Sequence, residues 1–207
     1  MPEDVKVPHV ARVIGIDPST TNMGVFIVDV NLAERAPFDL VYANTIYGDK
    51  VVYDVPAQFD DTAGTGIMAR IYCMARALRN LINIFRPTED QEKTMIMVGN
   101  CEDNFLGISA LTFKQLVMCM TELRNAFYEA GIHLSFVLPN LAKAIVGANF
   151  RGTQKEDVKK GLLAYAHLDH GDVDLNEADE HTVDAGAVTL FRAECIAKDY
   201  GVWHEQT

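Results

Sequence analysis

The sequence predicts an α/β fold in a single domain, and three observations predict it. Short apolar runs separated by turn residues indicate β-strands near the start of the chain. Helical periodicity alternating with further apolar runs indicates helices between later strands. The length of 207 residues is close to the usual upper size of one domain. We therefore expect one domain over residues 1–207, with its core at about 12–199.

The first quarter of the chain has the pattern of three strands. Residues 12–17 (RVIGID) and 23–30 (MGVFIVDV) are apolar runs joined by a Pro-Ser-Thr-Thr-Asn turn, which is typical of a β-hairpin. Residues 40–47 (LVYANTIY) form a third run that ends at the turn residues Gly48 and Asp49. Residues 51–63 have no clear period, and we expect a loop there.

The rest of the chain alternates helices with strands. Apolar positions recur at helical spacing from Ile67 to Phe85, and Pro87 ends this helix. A capping-box pattern from Thr153 to Glu156 predicts the start of another helix. The remaining elements are predicted at 94–98 (strand), about 108–130 (helix), 133–138 (strand), 140–147 (a short helix, with a strand as the alternative), 153–168 (helix) and about 177–199 (helix).

The composition excludes several classes of protein. Hydrophobic residues make up 49% of the chain and charged residues 23%, which excludes a disordered, collagen-like or coiled-coil protein. The formal net charge of −11 argues against a protein that coats nucleic acid by charge alone. Four cysteines without CxxC spacing predict buried thiols in a reducing compartment. No apolar run approaches the ~18 residues that span a membrane, so we expect a cytoplasmic protein without membrane partners.

Asp17 is the first candidate functional residue. It ends an apolar strand and precedes a turn, so its carboxylate should emerge at the edge of the sheet, where ligands of α/β proteins bind. The alternative is an aspartate that caps its own turn through backbone amides.

A second acidic cluster lies at the head of the last helix. His181 and Asp184 are three residues apart, and Glu180 and Asp184 four, so each pair shares a helical face. Acidic residues in a first turn also stabilise a helix through its dipole, which is the alternative for Glu177 and Asp179. Asp184 lies further in and needs a partner such as a cation. Carboxylates from distant segments with a histidine form a set that Mg²⁺ or Mn²⁺ prefers, usually for phosphoryl chemistry.

Taken together, these motifs resemble the RuvC-type Holliday-junction resolvases of the ribonuclease-H superfamily. The resemblance covers about residues 12–192. It implies a ribonuclease-H-like fold, with a mixed five-stranded sheet, the first three strands antiparallel, and helices on both faces. The stretches that carry it are 13–19 (VIGIDPS) with Gly24, Ser109-Ala110-Leu111 with Gln115, 143–147 (KAIVG), 152–158 (GTQKEDV) and His181-x-x-Asp184-Ala185.

The resemblance implies an enzyme, a Mg²⁺-dependent endodeoxyribonuclease. Its substrate would be branched DNA, chiefly four-way junctions, cut by a homodimer with two Mg²⁺ or Mn²⁺ ions in each site. Asp17 would bridge the two ions, and Asp184 and Glu102 would each hold one of them. His181 would be either a ligand or a group that orients the attacking water. Small resolvases of this kind often come from phages, and the compartment would then be the cytoplasm of a bacterial host.

The fourth carboxylate position has more than one candidate. Counting back without gaps from Ser109 puts Gly99 there, whereas Glu102 and Phe105 reproduce the family's Glu-x-x-Phe if the following loop is three residues shorter. We expect Glu102 to be the ligand, and the alternative for it is a solvated loop carboxylate. Asn100 could occupy the position instead, and a neutral ligand there would weaken metal binding or mean an inactive protein.

The resemblance also implies DNA-contacting cations. These are Lys143 and Lys155, for which the alternative is a solvated surface ammonium, and Arg151 lies beside Phe150 in the loop between them. Two other functions are possible on the sequence. One is a non-catalytic junction-binding relative. The other is an actin-like or sugar-kinase-type ATP-binding domain, whose phosphate loop resembles Gly-Ile-Asp-Pro-Ser-Thr-Thr-Asn, although 207 residues leave little room for the repeated domain of those proteins.

Overall fold

The computed structural model describes residues 8–51, 53–55, 66–103, 110–148 and 153–203. Strands and helices alternate after an opening run of three strands, as the sequence predicts. The elements are β1 (Val10–Pro18), β2 (Asn22–Asn31), β3 (Phe38–Tyr47), α1 (Ile67–Ile84), a 3₁₀ turn (Gln91–Lys93), β4 (Met95–Glu102), α2 (Ala110–Glu129), β5 (His133–Val137), α3 (Pro139–Ile145), α4 (Lys155–Leu163), β6 (Leu168–Asp169), a second 3₁₀ turn (Leu175–Glu177) and α5 (Glu180–Asp199).

The strands form one sheet in the order β5-β4-β1-β2-β3-β6. Strands β1, β2 and β3 are antiparallel neighbours, whereas β4 pairs parallel with β1 and β5 parallel with β4. The predicted mixed sheet with three antiparallel leading strands is therefore confirmed. The expected count of five strands is corrected by β6, a two-residue strand that pairs parallel with the start of β3.

The helix before β6, α4, is shorter than predicted. We expected that helix to run to residue 168, but α4 ends at Leu163. Leu168 continues the helical spacing of apolar residues, which is why the helix was expected to reach it. Its backbone instead pairs with Phe38 of β3, and its side chain is buried. The capping box of α4 lies one residue later than predicted, with Gln154 as the N-cap and Asp157 accepting a 2.8 Å hydrogen bond from the Gln154 amide.

Helices cover both faces of the sheet, because successive side chains of each strand point to opposite faces. Ala11 and Val13 of β1 belong to the core beneath α3, α4 and α5. Ile14 and Ile16 belong to the core beneath α1 and α2. Asp17 follows Ile16, and the alternation turns its side chain towards α5.

Two glycines let α5 lie directly on the strands. A Cβ at Gly15 would overlap the Thr189 hydroxyl and crowd the Ala185 carbonyl, and a Cβ at Gly24 would overlap the His181 carbonyl. The first half of α5 can therefore approach the end of β1 and the start of β2 more closely than side chains would allow.

Four further predictions concern the short helix near residue 140, the cysteines, membrane-spanning helices and the loop at 51–63. Residues Pro139–Ile145 form a helix rather than a strand. All four cysteines are free, and three are buried, whereas Cys195 is half-buried. No helix among the described residues is long and apolar enough to cross a membrane. Part of the predicted loop at 51–63 lies outside the described residues.

Candidate metal centre

Two carboxylates lie side by side at one end of the sheet. Strands β1 and β4 are parallel, with Ile16 paired to Cys101, so Asp17 and Glu102 are the next residues on each strand. Ile16 and Cys101 both point into the core under α1 and α2. Because side chains alternate along a strand, Asp17 and Glu102 point together to the α5 face.

The turn after Asp17 has its own capping group. The Ser19 hydroxyl accepts hydrogen bonds from the amides of Thr21 (3.2 Å) and Asn22 (2.9 Å). Asp17 is therefore left to act outside the turn, and its carboxylate meets His181 of α5, with 2.8 Å between Oδ2 and Nδ1. This hydrogen bond raises the pKa of His181, although burial works against it.

The N-terminus of α5 is fixed above this end of the sheet by its N-cap. The Asp179 carboxylate accepts hydrogen bonds from the Thr182 amide at 2.9 Å and from the Tyr47 hydroxyl at 2.8 Å. Thr45 donates a third, at 2.5 Å. Asp179 therefore stabilises the N-terminus of α5, as the helix-dipole alternative states. It also joins this terminus to strand β3 through Thr45 and Tyr47. Sequence reasoning missed Thr45 and Tyr47, which lie more than 130 residues before Asp179 and follow no local pattern.

Asp184 completes the acidic end of the sheet. Burial raises its pKa, the neighbouring Lys143 ammonium opposes that shift, and the charge of Asp17 adds to it. Burial together with the charges of Asp17 and Asp184 raises the pKa of Glu102 to about 8, against the opposing effect of Lys143. Three carboxylates therefore share one partly buried space in which full ionisation is unfavourable.

Asn100 lies elsewhere. It is 1% exposed, its amide donates a 2.9 Å hydrogen bond to the Val188 carbonyl, and its oxygen accepts one of 3.0 Å from Ser135. Both ends of the amide are thus engaged in the core between the sheet and α5. Glu102, rather than Asn100, is the β4 side chain that interacts electrostatically with Asp17 and Asp184.

The two lysines occupy different surroundings. Lys143 of α3 is only 29% exposed and lies 3.4 Å from Asp184 Oδ2, so it is part of the acidic cluster. Lys155 at the start of α4 is 67% exposed and forms an ion pair with Glu180. The surface alternative therefore fits Lys155 better than Lys143. Arg151 and Phe150 lie outside the described residues.

The chemistry of this cluster fits a hard divalent cation. Carboxylate oxygens are the donors that Mg²⁺ and Mn²⁺ prefer. A cation would offset both the burial and the repulsion by Asp17 and Asp184 that raise the pKa of Glu102. Within the described ranges, no group of three or more His, Cys, Asp or Glu side chains is positioned so that it could hold a metal ion without rearrangement. The Lys143 ammonium beside Asp184 now supplies part of the neutralising charge.

No protein-family model matches the chain, and no curated protein matches its sequence. Solved structures do match its fold. The Thermus thermophilus RuvC structure aligns with a TM-score of 0.61 at 18% identity, covering 92% of this chain and 97% of that one. The same protein in complex with Holliday junction substrate gives 0.60 at 17% identity, covering 93% and 97%.

A yeast protein has a similar fold. The yeast mitochondrial Holliday junction resolvase Ydc2 aligns with a TM-score of 0.62 at 12% identity, covering 95% of this chain and 84% of that one. The chain therefore has a RuvC-like fold of the ribonuclease-H type, with β6 as an added strand. At these identities the likeness is one of fold.

Proposed function

We propose that the protein is a divalent-metal-dependent endonuclease that hydrolyses phosphodiester bonds in four-way DNA junctions. The observation that carries the proposal is the convergence of Asp17, Glu102 and Asp184, with His181, at one end of a RuvC-like sheet. The junction as substrate rests on the fold, since resolvases of this fold act on such DNA.

The chain's own residues have separable roles in this proposal. Asp17, Glu102 and Asp184 would hold Mg²⁺ or Mn²⁺, which supplies positive charge and Lewis acidity at the scissile phosphate. His181 fixes the Asp17 carboxylate through its hydrogen bond. Lys143 would move from Asp184 towards the phosphate when metal binds, because the metal replaces its neutralising charge.

Junction binding would use the cations beside the centre. Lys155 is exposed at the start of α4, forms an ion pair with Glu180, and lines a small cleft together with Asp184. A homodimer would present two such sites with two-fold symmetry, which matches the approximate symmetry of a four-way junction. We propose this dimer as the active form.

A cleavage assay tests the proposal. The purified chain is incubated with a synthetic, end-labelled four-way junction in Mg²⁺, with a linear duplex of the same sequence as the control substrate. We expect paired nicks that yield linear products from the junction, none from the duplex, and none with Asp17→Asn. Binding without cleavage in either Mg²⁺ or Mn²⁺ would instead identify a non-catalytic junction-binding protein.

A further inference from the structure

A polar cleft lies beside the candidate metal centre, where β2 begins and β3 ends. It is formed by the hairpin turn after β1, the turn after β3 and the first turn of α1. The lining residues are Thr21, Asn22, Tyr47, Asp49, Lys50 and Arg70. None of them belongs to the acidic cluster described above.

The cleft is cationic in an acidic protein. Lys50 and Arg70 face one carboxylate, Asp49, whereas the whole chain has 29 acidic against 18 basic side chains. Among the residues that the structure describes, neither Lys50 nor Arg70 forms an ion pair, although other arginines and lysines do. The two charges are therefore available to an anion from solution.

The cations are held in place rather than free to move. The Gly48 amide donates a 2.8 Å hydrogen bond to the Thr21 carbonyl, which joins the two turns. The Arg70 side-chain stem rests on Gly48, where a Cβ would overlap it. The Lys50 ammonium lies 4.0 Å from the centre of the Tyr47 ring, and Tyr47 is itself fixed by Asp179. Pre-positioned donors lose less conformational entropy when they bind a ligand.

The register of the sheet places the cleft near Asp17. Asp17 pairs with Gly24 across the hairpin, and Asn22 pairs with Tyr47. Tyr47 therefore lies two strand spacings across the sheet from Asp17 and two residues further along, roughly 12 Å between the backbones. A DNA strand carries one phosphate for each ~3.4 Å of helix axis. The cleft is thus within a few nucleotides of a phosphate bound at the metal centre.

We propose that this cleft binds a backbone phosphate of the same DNA strand that enters the metal centre. The inference rests on the proposed function. Arginine and lysine with hydroxyl and amide donors are the groups that contact DNA phosphates, and such contacts set register without reading sequence. The cleft would thus position the strand on the hairpin side of the centre, while Lys155 contacts it on the α4 side.

The double variant Lys50→Ala/Arg70→Ala tests the inference. The matched control is Arg35→Ala/Lys93→Ala, which removes two exposed cations at the opposite end of the sheet. Affinity for a fluorescent four-way junction is measured against salt, with Ca²⁺ in place of Mg²⁺. We expect weaker binding and a slope of log affinity against log salt reduced by roughly one unit per lost contact in the cleft variant alone. Replacing Arg70 by Lys rather than Ala keeps a positive charge in the cleft and should restore part of the affinity that the double variant loses.

The outcomes separate the inference from the proposed function. If the wild type binds and cuts the junction but the cleft variant has the same affinity and slope as the control, the cleft is not a phosphate site. A wild type that neither binds nor cuts the junction overturns both proposals. Should the double variant unfold at lower temperature, the exposed Lys50→Ala change alone provides the comparison, with half the expected effect.

Discussion

Asn100 and Glu102 lie on the same face of β4, and their depth along the strand separates their roles. Two residues of a strand advance ~6.6 Å, and one turn of a helix advances ~5.4 Å. Asn100 therefore meets Val188, and Glu102 comes beside Asp184 one turn earlier in α5. Because the two repeats are nearly equal, Asn100 and Glu102 contact successive turns of α5. Asn100 therefore lies in the core, and Glu102 lies at the candidate centre.

The first prediction compares these two residues. Glu102→Gln should raise the Mg²⁺ concentration for half-maximal cleavage by more than about tenfold, or abolish activity, because an amide is a poor ligand for a hard cation. Asn100→Ala should leave that concentration unchanged but cost about 1–3 kcal/mol in the free energy of unfolding, since it removes a buried amide that donates to the Val188 carbonyl and accepts from the Ser135 hydroxyl. A changed Mg²⁺ titration in Asn100→Ala alone would reverse the assignment.

The second prediction concerns pH and stability without metal. In the folded state, burial and the charges of Asp17 and Asp184 raise the pKa of Glu102 from its ordinary value of 4.5 to about 8. The folded state therefore binds more protons than the unfolded state between these values, and stability falls as pH rises through that window. Glu102→Gln removes this loss and should be more stable than wild type above pH ~8 by roughly 2 kcal/mol, less than the full shift implies because solvent reaches part of the side chain.

Thermal unfolding in a chelator, at a series of pH values from ~4 to ~9, measures this difference. Replacing the exposed Asp172 by Asn is the matched control and should follow the wild-type curve. Parallel curves for wild type and Glu102→Gln would show that burial and the charges of Asp17 and Asp184 do not raise the pKa of Glu102.

At the scale of elements, α5 determines the geometry of the site. Its N-cap is tied to β3 through Tyr47, and its first turns rest on Gly15 and Gly24. The hydrogen bond between His181 and Asp17 depends on this close approach, because a helix displaced outward would carry His181 away. The position of α5 on the sheet therefore determines where His181 meets Asp17.

The third prediction tests that dependence. Gly15→Ala forces its Cβ against Thr189 and the Ala185 carbonyl, and should cost about 1–3 kcal/mol of stability and most of the cleavage activity. Gly171→Ala is the comparison, since this glycine has a φ of 49° but open space around it. That change should cost about 1 kcal/mol through backbone strain and leave activity intact. Equal activity in both variants, measured at a temperature where both are folded, would contradict the role of the close approach.

Elements with strong local patterns could be predicted, and those fixed by distant partners could not. Strand β1 and helix α1 follow from apolar spacing, and the ends of β1 and α5 identified Asp17, His181 and Asp184 as candidates. Strand β6 has two residues and exists because Phe38 pairs with Leu168 across 130 residues of chain. The position of Lys143 beside Asp184 likewise depends on how α3 packs against α5, which no local pattern records.

At the scale of the whole molecule, cations are collected around an acidic centre in a chain of net charge −11. Lys143 lies inside the centre, Lys155 at its α4 side, and Lys50 with Arg70 at its hairpin side. In the proposed function, these cations would offset part of the acidic charge where the DNA backbone is bound.

The fourth prediction uses the lysines of the centre. Lys155→Ala should weaken junction binding and lower the salt slope by roughly one unit, and its own folding should be unaffected because the side chain is exposed. Lys143→Ala should weaken binding as well and, because it removes the cation that lowers the pKa of Glu102, shift the pH dependence of cleavage upward. Wild-type slopes in both variants, or a monomer by light scattering at assay concentration, would contradict the binding model.

If Asp17, Glu102 and Asp184 form one metal centre, a crystal structure of the protein soaked in Mn²⁺ should show the ion bound to all three residues. We expect anomalous density for Mn²⁺ within about 2.0–2.6 Å of carboxylate oxygens from all three residues, with Lys143 moved away from Asp184. Absence of Mn²⁺ at this end of the sheet, with Lys143 still beside Asp184 and Asp17 bound only to His181, would contradict it.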